Sequence, residues 1–255
     1  RPFQAPHFTQ FVVPWIEPFS GPIYTTLDHS LQQQVEQLVR NNLTRLESSH
    51  VSNAAVVVLD NATGGILAYV GSADFNDQKN NGQVDGVRAL RQPGSALKPF
   101  VYALGLEERK ITPATLLADE DTFFEGGFRP RNYDESYHGL VSVRGALACS
   151  YNIPAVKVAE EMGTTRLLDF LHQAGIQSLS KTADFYGLGL ALGNGEVRLL
   201  ELTNAYATLA RGGIFKSIKL AGNPRILLPG KEKRILSAQT AYLVTHILMD
   251  NEARS

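Results

Sequence analysis

The chain has 255 residues, 44% of them hydrophobic and 19% charged, with a formal net charge of -1. That is enough apolar material for one large or two small cores, and the near-neutral, evenly spread charge excludes the clustered basic surface of a nucleic-acid binder. One cysteine, Cys149, excludes an internal disulfide or a CxxC site, and the six histidines form no HxxxH or HExxH pattern, so neither a metal nor a cofactor is expected.

Residues 1–22 carry Pro2, Pro6, Pro14, Pro18 and Pro22 among aromatics, a pattern that predicts an extended connector. Residues 1–26 are accordingly expected to be a linker and 27–255 one domain. Asp28 to Leu46 places Leu31, Val35, Leu38 and Val39 near helical spacing behind a capping aspartate. The runs Ala54–Asp60 and Gly65–Gly71 are β-branched and aromatic, and Asn61-Ala62-Thr63-Gly64 joins them, which predicts a hairpin. Residues 72–94 are polar and Gly-rich, a loop. Helices are then expected over 95–108, 142–149, 154–162, 164–174, 196–211 and 237–249. An irregular insert of Gly, Pro and aromatics, Asp119–Gly139, interrupts them and has the length of a cleft-lining loop. No 18-residue apolar stretch is present.

Two motifs carry chemistry. In Ser95-Ala96-Leu97-Lys98 a helical start puts residues i and i+3 on one face, so the hydroxyl and the amine become neighbours. A serine needs a base to become a nucleophile, and a desolvated lysine can be that base. Pro99 is tolerated only in a first turn, which fixes Ser95 at the helix start, where backbone N–H groups are free for an oxyanion. A second match, Ser178-Leu179-Ser180-Lys181, follows Gly175 in a polar stretch and reads as a loop. The second motif, Ser150-Tyr151-Asn152, is the only Ser-x-Asn in the chain and lies 55 residues after Ser95 between two predicted helices. A hydroxyl there can relay a proton and an amide can orient a substrate, but Ser and Asn also favour plain turns.

Taken together, Ser-x-x-Lys and Ser-x-Asn resemble the penicillin-binding proteins and serine β-lactamases. The flanking stretches RQPGSALKPFVYALGLEE, RPRNYDESYHGLVSVRGALACSYNIPAVKVAEEMG and LGLALGNGEVRLLELTNAYATLARGG are similar to the transpeptidase domain of class A penicillin-binding proteins, nearest the type 1C branch. The resemblance implies an α/β (α+β) DD-transpeptidase-like fold: an antiparallel sheet with a helical subdomain, its C-terminal strands lying past this chain. It also implies that Ser95 is acylated by D-Ala-D-Ala stem peptides and by β-lactams, with Lys98 as base. Ser150 would relay the proton, Asn152 would hold the substrate peptide, and the Ser95 backbone N–H would serve the oxyanion. The partners implied are peptidoglycan stem peptides and β-lactam antibiotics. The implied setting is the periplasmic face of the bacterial inner membrane, in a membrane-anchored parent with an N-terminal glycosyltransferase domain. A carboxypeptidase, a β-lactam hydrolase and a non-catalytic β-lactam sensor share the fold and stay open as alternatives.

Three details qualify the resemblance. The family's third motif, Lys-Thr/Ser-Gly, is absent from these 255 residues, and Lys181-Thr182-Ala183 has Ala where Gly is needed. Glu201-Leu202-Thr203-Asn204 imitates the deacylation Glu of class A β-lactamases but follows Ser150 by 51 residues, inside an amphipathic helix. His138 and Cys149 are expected to be a satisfied loop histidine and a small packing residue.

Overall fold

A computed structural model describes residues 4–15, 22–220 and 230–254. In chain order the helices are α1 (Pro6–Val12), α2 (His29–Arg45), α3 (Lys98–Glu107), α4 (Val143–Ala148), α5 (Asn152–Met162), α6 (Thr164–Gln173), α7 (Ala183–Tyr186), α8 (Leu199–Ala210) and α9 (Ala238–Met249). The strands are β1 (Val56–Leu59), β2 (Ile66–Val70), β3 (Leu90–Arg91), β4 (Leu116–Asp119), β5 (Gly139–Ser142), β6 (Val197–Arg198), β7 (Ile214–Lys216) and β8 (Glu232–Arg234). The chain divides into two compact units, Arg1–Leu90 with Arg198–Ala207 and Phe215–Lys233, and Arg91–Val197 with Thr208–Ile214 and Arg234–Ser255.

The first unit is built around the predicted hairpin. β1 and β2 pair antiparallel, with Val57 opposite Tyr69 and a register irregularity between Val58 and Leu59. Alternation sorts their side chains onto two faces. Val57, Tyr69 and Ile66 pack with Phe8 and Val12 of α1 and Leu200 of α8. Ala68 and Val70, with Val56 and Val58, meet Val35 and Val39 of α2. Asp28 caps α2 as expected, accepting from the Leu31 N–H at 2.9 Å. Gln32 is buried and reaches β2 with its side-chain amide. Its Oε1 accepts from Tyr69 N (2.7 Å) and its Nε2 donates to Tyr69 O (3.1 Å), so it satisfies backbone groups a further strand would otherwise pair.

The N-terminal segment departs from the sequence expectation. Pro6–Val12 is a helix, not an extended connector. Proline suits a first helical turn, where its missing N–H has no partner to lose, and Phe8 and Val12, each 3% exposed, hold the helix on the core. Phe8→Ala is therefore expected to destabilise the first unit by about 3–5 kcal/mol, the usual cost of emptying a buried phenylalanine site. Chemical denaturation would read this directly, and a loss below about 1 kcal/mol would mean that the segment behaves as a tether.

The second unit centres on α3, whose residues Lys98 to Leu106 are all buried. A helix buried all round is a core helix. Gly105 lets this core close, since a Cβ there would lie 2.9 Å from Ile111 Cδ1 and 3.1 Å from Val158 Cγ1. The predicted insert lies between β4 and β5, which pair antiparallel from Leu116 opposite Ser142 to Asp119 opposite Gly139. Every ladder among the described residues is two-stranded.

Candidate active site

Ser95 lies in a 3-10 turn, Gly94–Leu97, that runs into α3 at Lys98, whose backbone N–H bonds the Ser95 carbonyl. Ser95 is exposed, whereas Lys98 is 1% exposed and is the only charged side chain buried inside α3. Its amine is fully engaged. It donates to the Ser150 carbonyl, to Ser150 Oγ at 3.1 Å and to Asn152 Oδ1 at 2.5 Å. Burial removes the water that would stabilise the ammonium and lowers the Lys98 pKa to about 8.

Local structure explains how Ser150 and Asn152 arrive there. Ser142 caps the start of α4, accepting from Gly145 N at 3.1 Å. At the other end Tyr151 N bonds Ala146 O and Ser150 N bonds Leu147 O, the paired bonds of a Schellman helix stop. That stop requires a left-handed residue, usually Gly, and here Ser150 takes it at φ +59. The reversed backbone points the Ser150 carbonyl at Lys98 and starts α5 at Asn152. The Asn152 amide is held at both ends, with Nδ2 donating to the Arg131 carbonyl and Oδ1 facing the lysine.

The structure thus brings Lys98, Ser150 and Asn152 together. Ser178 and Lys181 stay in an irregular stretch beside buried Leu179. Glu201 lies in α8 and pairs with Arg198 at 3.0 Å. His138 Nδ1 lies 2.7 Å from Asp119 and Nε2 lies 3.1 Å from Asp134. Cys149 is half-buried, its sulfur 3.6 Å from the Ala253 carbonyl.

Sequence reading missed two supports. One is Gly193, which at φ +74 lies against the backbone of Gly94, next to the candidate nucleophile. The other is Asn132 with Asp119. Asn132 accepts from the Asn152 N–H at 2.7 Å, and Asp119 in turn accepts from the Asn132 amide. Nothing in the sequence set the second pair apart, because Asp119 and Asn132 are two of many polar residues in the insert and meet only in the folded chain.

The family model of the penicillin binding protein transpeptidase domain matches residues 54–255. The chain belongs to that family. The transpeptidase domain is 36% identical over 231 residues to penicillin-binding protein 1C of Escherichia coli K12, covering 91% of this chain and 29% of that protein. It is 33% identical over 236 residues to penicillin-binding protein 1F of Bacillus subtilis, covering 89% of this chain and 32% of the relative. The chain thus spans about a third of the length of these relatives. Among solved structures, the PonA1 protein of Mycobacterium tuberculosis in complex with penicillin V superposes with a TM-score of 0.71 at 25% identity, over 89% of this chain and 62% of that one. A peptidoglycan glycosyltransferase from Burkholderia ambifaria gives 0.72 at 21% identity, over 88% and 72%. The fold is therefore the α/β DD-transpeptidase fold. No helix among the described residues is long and apolar enough to cross a membrane.

Proposed function

We propose that this domain is a serine DD-transpeptidase in which Ser95 is the nucleophile, Lys98 the base, Ser150 the proton relay and Asn152 the substrate anchor. The observation that carries the reading is the buried Lys98 amine and the character of its three partners. An ammonium has three donors and finds three acceptors. A neutral amine has two N–H groups and one lone pair. The Ser150 carbonyl and Asn152 Oδ1 can only accept, so they keep the two N–H groups. The lone pair is then left for a hydroxyl, and Ser150 Oγ is the one partner that can reverse its hydrogen bond.

In the acylation step the Ser95 oxygen attacks the carbonyl carbon of the penultimate D-Ala, and its proton passes to the Lys98 lone pair as the Ser150 hydroxyl turns its own hydrogen away. The carbonyl oxygen becomes an oxyanion, for which the Ser95 backbone N–H is the donor this chain offers. On collapse the C–N bond breaks, and the proton returns through Ser150 Oγ to the departing amine of the terminal D-Ala. The product is a Ser95 ester. An amine of a neighbouring stem peptide then attacks the ester, its proton taking the reverse path, and the new amide cross-links the wall. A β-lactam enters the same first step, but its amine stays tethered and the ester persists. The longer E. coli and B. subtilis penicillin-binding proteins that this chain resembles support a larger parent protein that acts outside the cytoplasm, with peptidoglycan as substrate. Glu201, paired with Arg198, gives the β-lactam hydrolase alternative no support.

The test is peptide mapping of the full-length protein after reaction with labelled penicillin. One acyl group on Ser95 is expected, and Ser95→Ala should take up none. Label on Ser178, or uptake that survives Ser95→Ala, would sink the assignment.

A further inference from the structure

The first N–H groups of a helix need acceptors, and α5 has no side-chain cap of its own at Tyr151. The acceptor comes from the insert. Asn132 Oδ1 bonds the Asn152 N–H at 2.7 Å. Asn132 is 5% exposed, and its amide nitrogen faces both Asp119 oxygens, at 2.9 and 2.8 Å, and the Ser136 carbonyl at 2.8 Å. All three of these are acceptors, so the amide cannot flip without losing them. Its oxygen is locked toward α5. Asp119 is itself fully buried at the end of β4, and it is fixed by the His138 backbone N–H at 3.0 Å and by His138 Nδ1 at 2.7 Å. The His138 ring then stacks on Tyr151, centroids 4.0 Å apart. One buried carboxylate therefore grips residues 151 and 152 through two separate arms, one polar and one aromatic.

We infer that Asn132 is a positioning residue for acylation: locked by Asp119, it fixes the Ser150–Asn152 turn whose oxygens hold the Lys98 amine. Neither Asn132 nor Asp119 touches Lys98, so their effect passes through Asn152. The turn needs such a clamp because Ser150 sits in a left-handed conformation that a non-glycine residue adopts at a cost of about 1–2 kcal/mol. Without the Asn132 bond the turn can relax and move the Asn152 oxygen away from the amine. A misplacement of about 1 Å can cost roughly 10²-fold in rate.

This inference rests on the roles given above to Ser95 and Lys98, so its test has a readout independent of them. In the full-length protein, hydrogen exchange at the Asn152 amide and the rate of labelled-penicillin acylation are compared for wild type, Asn132→Ala, Asn132→Asp, Asp119→Asn and the Asn132→Asp/Asp119→Asn double variant. Asn132→Ala should exchange the Asn152 amide at least about 5-fold faster, the worth of one net hydrogen bond, and acylate roughly 10- to 100-fold more slowly. Asn132→Asp sets two carboxylates against each other and should slow acylation similarly. The double variant restores one carboxylate and one amide across the 132–119 pair, without the bond to the Ser136 carbonyl, and should recover at least about 5-fold over either single change. A merely structural defect would give no such reciprocal rescue. Unchanged Asn152 exchange in Asn132→Ala, or acylation within about two-fold of wild type, overturns the inference. Should Asn132→Ala not fold, a double variant no faster than the singles overturns it instead. Absence of label on Ser95 in the wild type would defeat the functional reading, and the exchange measurement alone would then decide whether the clamp exists.

Discussion

Lys98→Arg should lower the rate of penicillin acylation by roughly 10²–10⁴-fold, the range that a general base contributes. Arginine keeps the positive charge and can still bond the Ser150 carbonyl and Asn152 Oδ1, but it does not deprotonate and so cannot take the Ser95 proton. The wild-type rate should instead depend on pH. With a Lys98 pKa of about 8, the neutral amine is the minor form at pH 7, and the acylation rate should climb about tenfold per pH unit and level off above pH 8. A flat profile between pH 6 and 9, or a Lys98→Arg variant that acylates at near wild-type rate, would remove Lys98 from the role of base.

The same lysine bears on stability, with a definite sign. Its folded pKa lies below its unfolded one, about 8 against 10.5. Below pH 8 both states carry the proton, and the folded state bears the full cost of the buried charge, on the order of 3 kcal/mol. Between pH 8 and 10.5 the unfolded chain holds a proton that the folded chain has released, so the Lys98 contribution to stability improves as pH rises through that window. Denaturant melts at pH 7 and 9 of wild type and Lys98→Arg should show the difference, since arginine stays charged in both states throughout this range.

Gly193→Ala should cost about 2–4 kcal/mol of stability and slow acylation by more than about tenfold. A Cβ at 193 would lie 2.3 Å from the Gly94 carbonyl oxygen, 2.5 Å from its nitrogen and 2.7 Å from its Cα. These are backbone atoms and have no rotamer to yield. Something must shift, and the segment that shifts carries Ser95 as its next residue. The left-handed φ of +74 at Gly193 adds strain of its own. Gly163→Ala separates the two effects: its φ is +79, but a Cβ there meets nothing within 4 Å. Gly163 lies at ψ +137, outside the left-handed α well, so the substitution should cost only backbone strain, about 1–3 kcal/mol, and leave acylation unchanged. Equal effects of the two substitutions on acylation would show that the contact with Gly94 does not govern the position of Ser95.

Much of this protein was legible in one dimension because the physics involved is local. The α2 cap at Asp28 needs only a carboxylate three residues before a free N–H. The hairpin follows from two β-branched runs and a short turn. The pairing of Lys98 with the Ser150–Asn152 box was expected from family likeness, and the likeness is carried by local strings. α1 was not legible, because five prolines in 22 residues argue against a helix while the force that makes one, burial of Phe8 and Val12 against Ile66 and Tyr69, comes from residues far along the chain. The β4–β5 ladder escaped for the same reason. Its strands are short, half-exposed and separated by the whole insert, so neither period nor composition marks them.

By itself, then, the sequence determined the helical frame, the hairpin, the family and the polar groups available for chemistry. Those features depend on spacings within a turn or two, or on strings that survive as strings. Tertiary structure alone decided what those groups become. It buried the Lys98 amine and so lowered its pKa, turned Ser150 into a left-handed helix stop, placed Gly193 against Gly94 across 99 residues of chain, and set Asn132 beneath Asn152 on a buried Asp119. Desolvation and close backbone approach are properties of the packed interior, and no residue carries them until its neighbours from elsewhere in the chain have arrived.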